Sequence, residues 1–252
     1  MIERHSLLQY LNGLLEPEYF KDYAPNGLQV QGRERIQSLV TGVTACQALI
    51  ERAADLQADA ILVHHGYFWR GEDPSVVGMK YQRIRRLMQH DINLFAYHLP
   101  LDAHPELGNN AQLAARLGLV TESGLDPLER RPVGNLGRLE QPCSAPELAR
   151  RIAGALGREP VLVSGGEHSI QRVAWCTGGA QGFIEKAVAA GADAYISGEI
   201  SEPTTHVARE YGIHYFAAGH HATERYGPQA LGQHLAETFQ LRHEFVDIPN
   251  PA

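Results

Sequence analysis

The chain has 252 residues, of which 44% are hydrophobic and 20% charged, with 22 basic against 29 acidic side chains and a net charge of −7. That size and balance suit one large or two small domains with a proper core. The acidic excess argues against a nucleic-acid-binding surface built on bulk charge, while leaving room for a local positive pocket that takes a phosphate.

The first segment, Met1 to Leu15, carries Glu3, Arg4, His5, Gln9 and Asn12. It is neither a secretory apolar region nor a membrane span, and no membrane partner is expected. Its Leu7, Leu8, Leu11, Leu14 and Leu15 recur at helical spacing and predict an amphipathic helix. Ser38–Val43 then reads as a strand and Gln47–Leu56 as a helix. Ala60–Val63 is a second strand and Tyr81–Gln89 a helix whose Arg83, Arg85 and Arg86 form a solvated face. Leu94–His98 is a third strand, followed by a helix over Asn110–Leu117. Strands alternating with helices predict an α/β architecture.

The second half repeats the first. An offset of 134 places Gln47, Ile50, Glu51 and Ala53 on Gln181, Ile184, Glu185 and Ala187, and Ala58-Asp59-Ala60 on Ala192-Asp193-Ala194. An offset of 121 places Ile92–Ala96 on Ile213–Ala217, so a loop is shorter in the second copy. The expected fold is α/β, with duplicated strand–helix units forming two intertwined halves with mixed sheets. Residues 1–120 make the first half, 121–171 a connecting segment and 172–252 the second half. The connecting segment holds a helix over Ala145–Leu156, with Ser144 as its N-cap before Pro146 and Glu147. Cys46, Cys143 and Cys176 are far apart with no C-x-x-C, which reads as reduced thiols in the cytoplasm.

Thirteen histidines in such a chain direct attention to metal or acid–base chemistry. Three clusters fall at the C-terminal ends of strands, the edge where open α/β sheets build sites. His64-His65-Gly66 places two imidazoles where the chain turns. His98-Leu-Pro-Leu-Asp102-Ala-His104 adds a carboxylate, the hard anionic ligand that balances a divalent charge beside imidazoles. In Gly219-His220-His221-Ala-Thr-Glu224, a helix starting after Gly219 stands His220 and Glu224 on one face at i and i+4. His64, His65, Asp102, His220 and Glu224 are too many donors for one structural zinc, which closes with four. They suit two divalent ions roughly 3.5–4 Å apart, an arrangement used in hydrolysis, with zinc, manganese and iron all open. His98 is read as a ligand, a group that orients one, or a base. Glu199 in Ser197-Gly198-Glu199 is the further general-base candidate. Thr177-Gly178-Gly179 reads as a tight strand-to-helix turn, with an anion site there as the alternative. Phosphate-loop and nucleophile-elbow motifs are absent.

At these residues the chain resembles the NIF-three-like dinuclear-metal family, also called GTP cyclohydrolase 1 type 2 homologues. The resemblance rests on Asp22-Tyr-Ala-Pro-Asn-Gly-Leu-Gln29, Val63-His-His-Gly66, Tyr97-His-Leu-Pro-Leu-Asp102, Ser197-Gly-Glu199 and Gly219-His-His-Ala-Thr-Glu224, in family order. It is nearest to the short enterobacterial Ybg-type members. It implies a duplicated α/β fold, a toroidal homohexamer, and two metal ions held by the five ligands above. The implied activity is hydrolysis of a nucleotide, by name the ring opening of GTP with release of formate. Hydrolysis of other or damaged nucleotides or phosphate esters, and a non-enzymatic metal-binding scaffold, are the alternatives. The chain departs from the pattern in lacking an inserted domain and in reading Ser201-Glu202-Pro203 where many relatives carry a histidine.

Overall fold

The computed structural model describes all 252 residues, Met1 to Ala252. The chain forms two compact α/β units, residues 1–101 with 227–249 and residues 102–226 with 250–252.

The first unit is built on a five-stranded sheet in the order Arg242–Phe245, Ser38–Thr44, Ala60–His65, Asn93–Ala96, Gly27–Val30. The first four strands are mutually parallel and the last is antiparallel to Asn93–Ala96. Ser38–Thr44 and Ala60–His65 are buried almost end to end, which is why neither shows the alternation of a half-exposed strand and Ala60–Val63 is a continuous apolar run. Helices Gln47–Asp55 and Gly78–Gln89 bury Leu49, Ile50, Ala53, Ile84 and Leu87 in the core of this unit. The first helix, Arg4–Leu15, buries Leu7, Leu11 and Leu15, a stripe at i, i+4, i+8, while Leu8 and Leu14 are half-buried on its flanks.

The second unit holds a six-stranded sheet in the order Leu119–Gly124, Asn135–Cys143, Ile170–Cys176, Ala194–Ser197, His214–Ala217, Val161–Val163. Its central three strands are parallel and the outer ones antiparallel. Helix Ala145–Leu156 begins at a capping box: the Ser144 amide donates to Glu147 Oε2 at 2.7 Å, and Pro146 sits in the first turn. Leu148, Ile152 and Leu156 of that helix pack with the fully buried Trp175. No helix is long and apolar enough to cross a membrane, and none of the three cysteines is in a disulfide.

The repeat seen in the sequence is structural. Ala60 and Ala194, 134 positions apart, both open the middle parallel strand; Asn93 and His214, 121 apart, both open the next. In each copy a short strand from earlier in the chain pairs antiparallel on the far side of that strand. The repeated Asp does the same work twice. Asp59 Oδ2 accepts the Gln37 and Ser38 amides at 2.8 and 2.9 Å, and Asp193 Oδ2 accepts the equivalent Gln171 and Arg172 amides at 2.9 and 2.7 Å. Each carboxylate thereby ties the start of one strand to the start of its neighbour. Asp59 also binds Arg33 at 2.9 Å and one of its amide bonds is buried, whereas both Asp193 bonds are exposed. Asp59→Ala is therefore expected to cost about 2 kcal/mol and Asp193→Ala about half that, measured by denaturant unfolding. Equal costs would mean that burial is not what strengthens the first clamp.

Candidate metal centre

In the first unit three imidazoles meet. The strand Ala60–His65 carries His64 and His65 as its last two residues before the turn at Gly66. His64 is fully buried, and its Nδ1 lies 3.1 Å from the Tyr97 carbonyl. A carbonyl only accepts, so Nδ1 carries the proton and Nε2 the lone pair. His65 Nδ1 lies 3.2 Å from the Thr44 hydroxyl at the end of the adjacent strand. His98 follows Asn93–Ala96, the next strand of the sheet, and its Nδ1 is 2.6 Å from Asp22 Oδ1. The ring centroids are 4.5 Å apart for His64–His65, 5.0 Å for His64–His98 and 5.7 Å for His65–His98. A nitrogen from each of the three lies within 4.8 Å of the others. Trp69 stands edge-on to His98 at 5.0 Å, its indole N–H donating to the Gly66 carbonyl.

The segment Asp22–Gln29 explains its place among the family motifs. Asp22 accepts from Asn26 Nδ2 at 2.9 Å and from the Leu99 amide at 3.0 Å, and the Asn26 side chain accepts the His98 amide at 2.7 Å. Burial alone would raise the Asp22 pKa. The hydrogen bond and charge of His98, with the bonds from Asn26 and the Tyr23 amide, outweigh it and hold the carboxyl down at about 2. Asp22 is thus an anion at neutral pH and fixes the tautomer of His98. Gln29 binds both the amide and the carbonyl of Tyr67, at 2.7 and 3.1 Å, and so docks this segment on the chain leaving Gly66.

In the second unit, Asp102 lies on the short helix Leu99–Ala103 and is 5% exposed. Its Oδ1 accepts from Asn109 Nδ2 at 2.8 Å and from the Thr177 hydroxyl at 3.2 Å. Helix His220–Glu224 starts after Gly219 as the spacing predicts, and its i, i+4 pair meets: His220 Nε2 is 3.2 Å from Glu224 Oε2. His220 Nδ1 is 2.6 Å from Glu199, which follows the strand Ala194–Ser197. Glu199 stands 134 positions after His65, so the two copies of the repeat put a chemical group at the same strand end. Burial would lower the His220 pKa; Glu224 and Glu199 outweigh it and raise it to about 9. Asp102 and Glu224 each place a carboxylate oxygen within 4.8 Å of the other, and Glu224 is 2% exposed. Two buried carboxylates that close repel unless a proton or a cation lies between them.

Other histidines make the following contacts. His104 Nδ1 accepts the Leu107 amide at 3.1 Å and His206 pairs with Glu202 at 3.0 Å on an exposed helix face. The His221 backbone N–H donates to Ala252. The Thr177-Gly178-Gly179 stretch is a tight turn: the Gly178 amide donates to Thr223 Oγ1 at 3.0 Å and its carbonyl accepts the Gly198 amide at 2.9 Å. The roles of Thr44, the Tyr97 carbonyl and Asn109 in holding these side chains are not marked in the sequence, and Thr177 is marked there only as part of a turn. Thr44 and Asn109 sit at the end of a strand and the start of a helix, Tyr97 and Thr177 just beyond strand ends, and no periodicity marks them.

A family model described as Duf34/NIF3 (NGG1p interacting factor 3) matches residues 2–251. This chain belongs to the DUF34/NIF3 family. It is 55% identical over 247 residues to a Pseudomonas aeruginosa protein named GTP cyclohydrolase 1 type 2 homolog, covering 98% of each chain. An Escherichia coli K12 protein of the same name is 54% identical over 247 residues, again with 98% of each chain covered. A solved structure described as protein ybgI, of unknown function, superimposes with a TM-score of 0.95 at 53% identity over 100% of both chains. These matches bear out the resemblance to the short enterobacterial members of the family. In this DUF34/NIF3 chain the donors themselves fit a metal. They are imidazole nitrogens and carboxylate oxygens, and His64, His65, His220 and Asp102 are each held from behind by a protein group, the support that metal ligands usually have.

Proposed function

We propose that the chain is a metal-dependent hydrolase that holds two divalent ions on His64, His65, Asp102, His220 and Glu224. The observation that carries this reading is the shared orientation of the three imidazoles. His64, His65 and His220 each have Nδ1 engaged, by Tyr97, Thr44 and Glu199 respectively, and would offer Nε2 to a metal ion. The two carboxylates that raise the His220 pKa, Glu224 and Glu199, would favour a bound cation there as they favour a proton. Two carboxylates beside three imidazoles suit zinc, iron or manganese. Bound ions of this kind activate water at neutral pH and polarise a substrate oxygen.

The protein's own share is to orient and to move protons. With its Nδ1 proton held by Asp22, His98 offers Nε2 as a proton acceptor. Glu199 braces His220 with Oε1, leaving Oε2, 3.4 Å from the Gln181 amide, to take or return a proton. The relatives' name, GTP cyclohydrolase 1 type 2 homolog, points to GTP as substrate, and the family resemblance implies opening of the purine imidazole ring with release of formate. Other nucleotides and phosphate esters are the next substrates to screen. The reading includes a cytoplasmic homohexamer, which light scattering showing a monomer at micromolar concentration would remove.

Formate release from GTP, measured together with metal content, tests the whole. Glu199→Gln keeps a hydrogen-bond acceptor for His220, and is expected to retain metal while turnover falls ~10²–10⁴-fold; His98→Ala should behave alike. A protein that binds two ions yet turns over none of these substrates is a metal-binding scaffold, and the hydrolase reading fails.

A further inference from the structure

Beside the imidazole cluster of the first unit lies a groove of about 540 Å³, a size ordinary for a small-molecule site. Among the residues lining it are Glu18, Phe20, Lys21, Asp22, Asn26 and Arg70. Its floor is shared with the site already described, because Asp22 and Asn26 are the residues that hold His98. Its charges are not balanced in the usual way. The Asp22 side chain is 4% exposed, and its oxygens are taken by His98, Asn26 and the Tyr23 and Leu99 amides. That carboxylate cannot also neutralise a cation in the groove. Arg70 is pinned by the chain instead: Nη2 donates to the Asp22 carbonyl at 2.8 Å and its own amide to the Tyr23 carbonyl at 2.6 Å. Neither Arg70 nor Lys21 makes an ion pair with a carboxylate, and Glu18 is the one acidic side chain of the lining not sealed by donors.

We propose that this groove is an anion subsite, in which Lys21 and the pre-set guanidinium of Arg70 take the phosphate chain of a phosphorylated substrate. A planar guanidinium held by a backbone bond loses little freedom on engaging phosphate oxygens, and a lysine beside it adds a mobile point charge. In a chain of net charge −7, a polyanion is repelled at long range, so local cations of this kind decide where it docks. Phe20 and Pro17 form the apolar side of the groove, lowering the local dielectric and strengthening the attraction. The sequence reading allowed a local positive pocket for a phosphate, and the fold supplies one next to His98. The anion binding stands on this groove alone; that the anion belongs to the hydrolysed substrate rests on the reading above.

The test is calorimetric titration of inorganic pyrophosphate into the purified protein, for wild type, Lys21→Ala, Arg70→Ala and the exposed helix-face control Arg85→Ala. Each groove substitution is expected to weaken binding about tenfold or more and to reduce its salt dependence, with Arg70→Lys recovering part of the loss. Arg85→Ala should bind as wild type does. Because Arg70 also holds the chain at Asp22, Lys21→Ala is the deciding variant, as its side chain has no partner whose loss would disturb the fold. Affinities for Lys21→Ala and Arg70→Ala within twofold of wild type would overturn the subsite. If the variants lose pyrophosphate but no nucleotide is hydrolysed by wild type, the subsite stands and the hydrolase reading fails. If nucleotides are hydrolysed with a KM that neither substitution changes, the hydrolase stands and the subsite fails.

Discussion

Replacing Glu224 with alanine is expected to remove metal from the protein while leaving it folded. Glu224 is 2% exposed, lies 3.2 Å from His220 Nε2, and shares its surroundings with the carboxylate of Asp102. It is the one candidate donor of the second unit that lies near both of the others, His220 and Asp102. Loss of an outer partner of a ligand costs 10–100-fold in affinity, and loss of a ligand exceeds that. Elemental analysis should show two ions per wild-type chain and at most one in the variant. A second readout follows from linkage. Because bound metal stabilises only the folded state, a chelator should lower the wild-type Tm and leave that of the variant unchanged. A variant that still holds two ions would take Glu224 out of the ligand set.

The second large effect is expected from a residue with no chemistry of its own. Gly178 has φ +68°, and a Cβ there would lie 2.0 Å from Glu224 Oε1 and 3.2 Å from His220 Nε2. Gly178→Ala thus carries two separate penalties. The left-handed backbone costs about 1 kcal/mol for any residue with a Cβ. The overlap is relieved by swinging the buried carboxylate away, which takes the ligand out of position without unfolding the protein. Metal content should fall as far as in Glu224→Ala, with a stability loss of only about 1–2 kcal/mol. Gly212→Ala is the matched control. Its φ is also +68°, but the nearest atom to its Cβ is the Gly165 carbonyl oxygen at 3.4 Å, far from any donor. It should lose similar stability and keep its metal. Metal loss in both variants would trace the effect to general destabilisation.

Much of the architecture was legible in the sequence because the information is local. Helical spacing of leucines placed Arg4–Leu15, and Ser-x-x-Glu placed the start of Ala145–Leu156. The repeat offsets fall on the first residues of equivalent strands because each copy must bury the same parallel strands behind the same helices. Strand ends were read less well. Ala60–Val63 runs on through His64 and His65, and Leu94–His98 begins at Asn93 and stops at Ala96. Histidine carries no strong strand signal, and a strand's length depends on how far its neighbour continues beside it. The strand runs on to His65 because Thr44 extends the adjacent strand as its partner.

What the sequence alone determined, then, is the α/β class, the duplication, and the residue types able to bind metal at three strand ends. The tertiary structure decided how each donor is aimed. Asp22 reaches His98 across 76 positions and Thr177 reaches Asp102 across 75, and neither pairing leaves a trace in local spacing. It also decided that Arg242–Phe245 returns to pair in parallel with Ser38–Thr44, adding a strand to the first unit from the far end of the chain. The division has one physical cause. Periodicity and capping record the contacts a residue makes within a turn or two of itself. A hydrogen bond between distant segments is specified only when the whole core has closed and brought its two ends together.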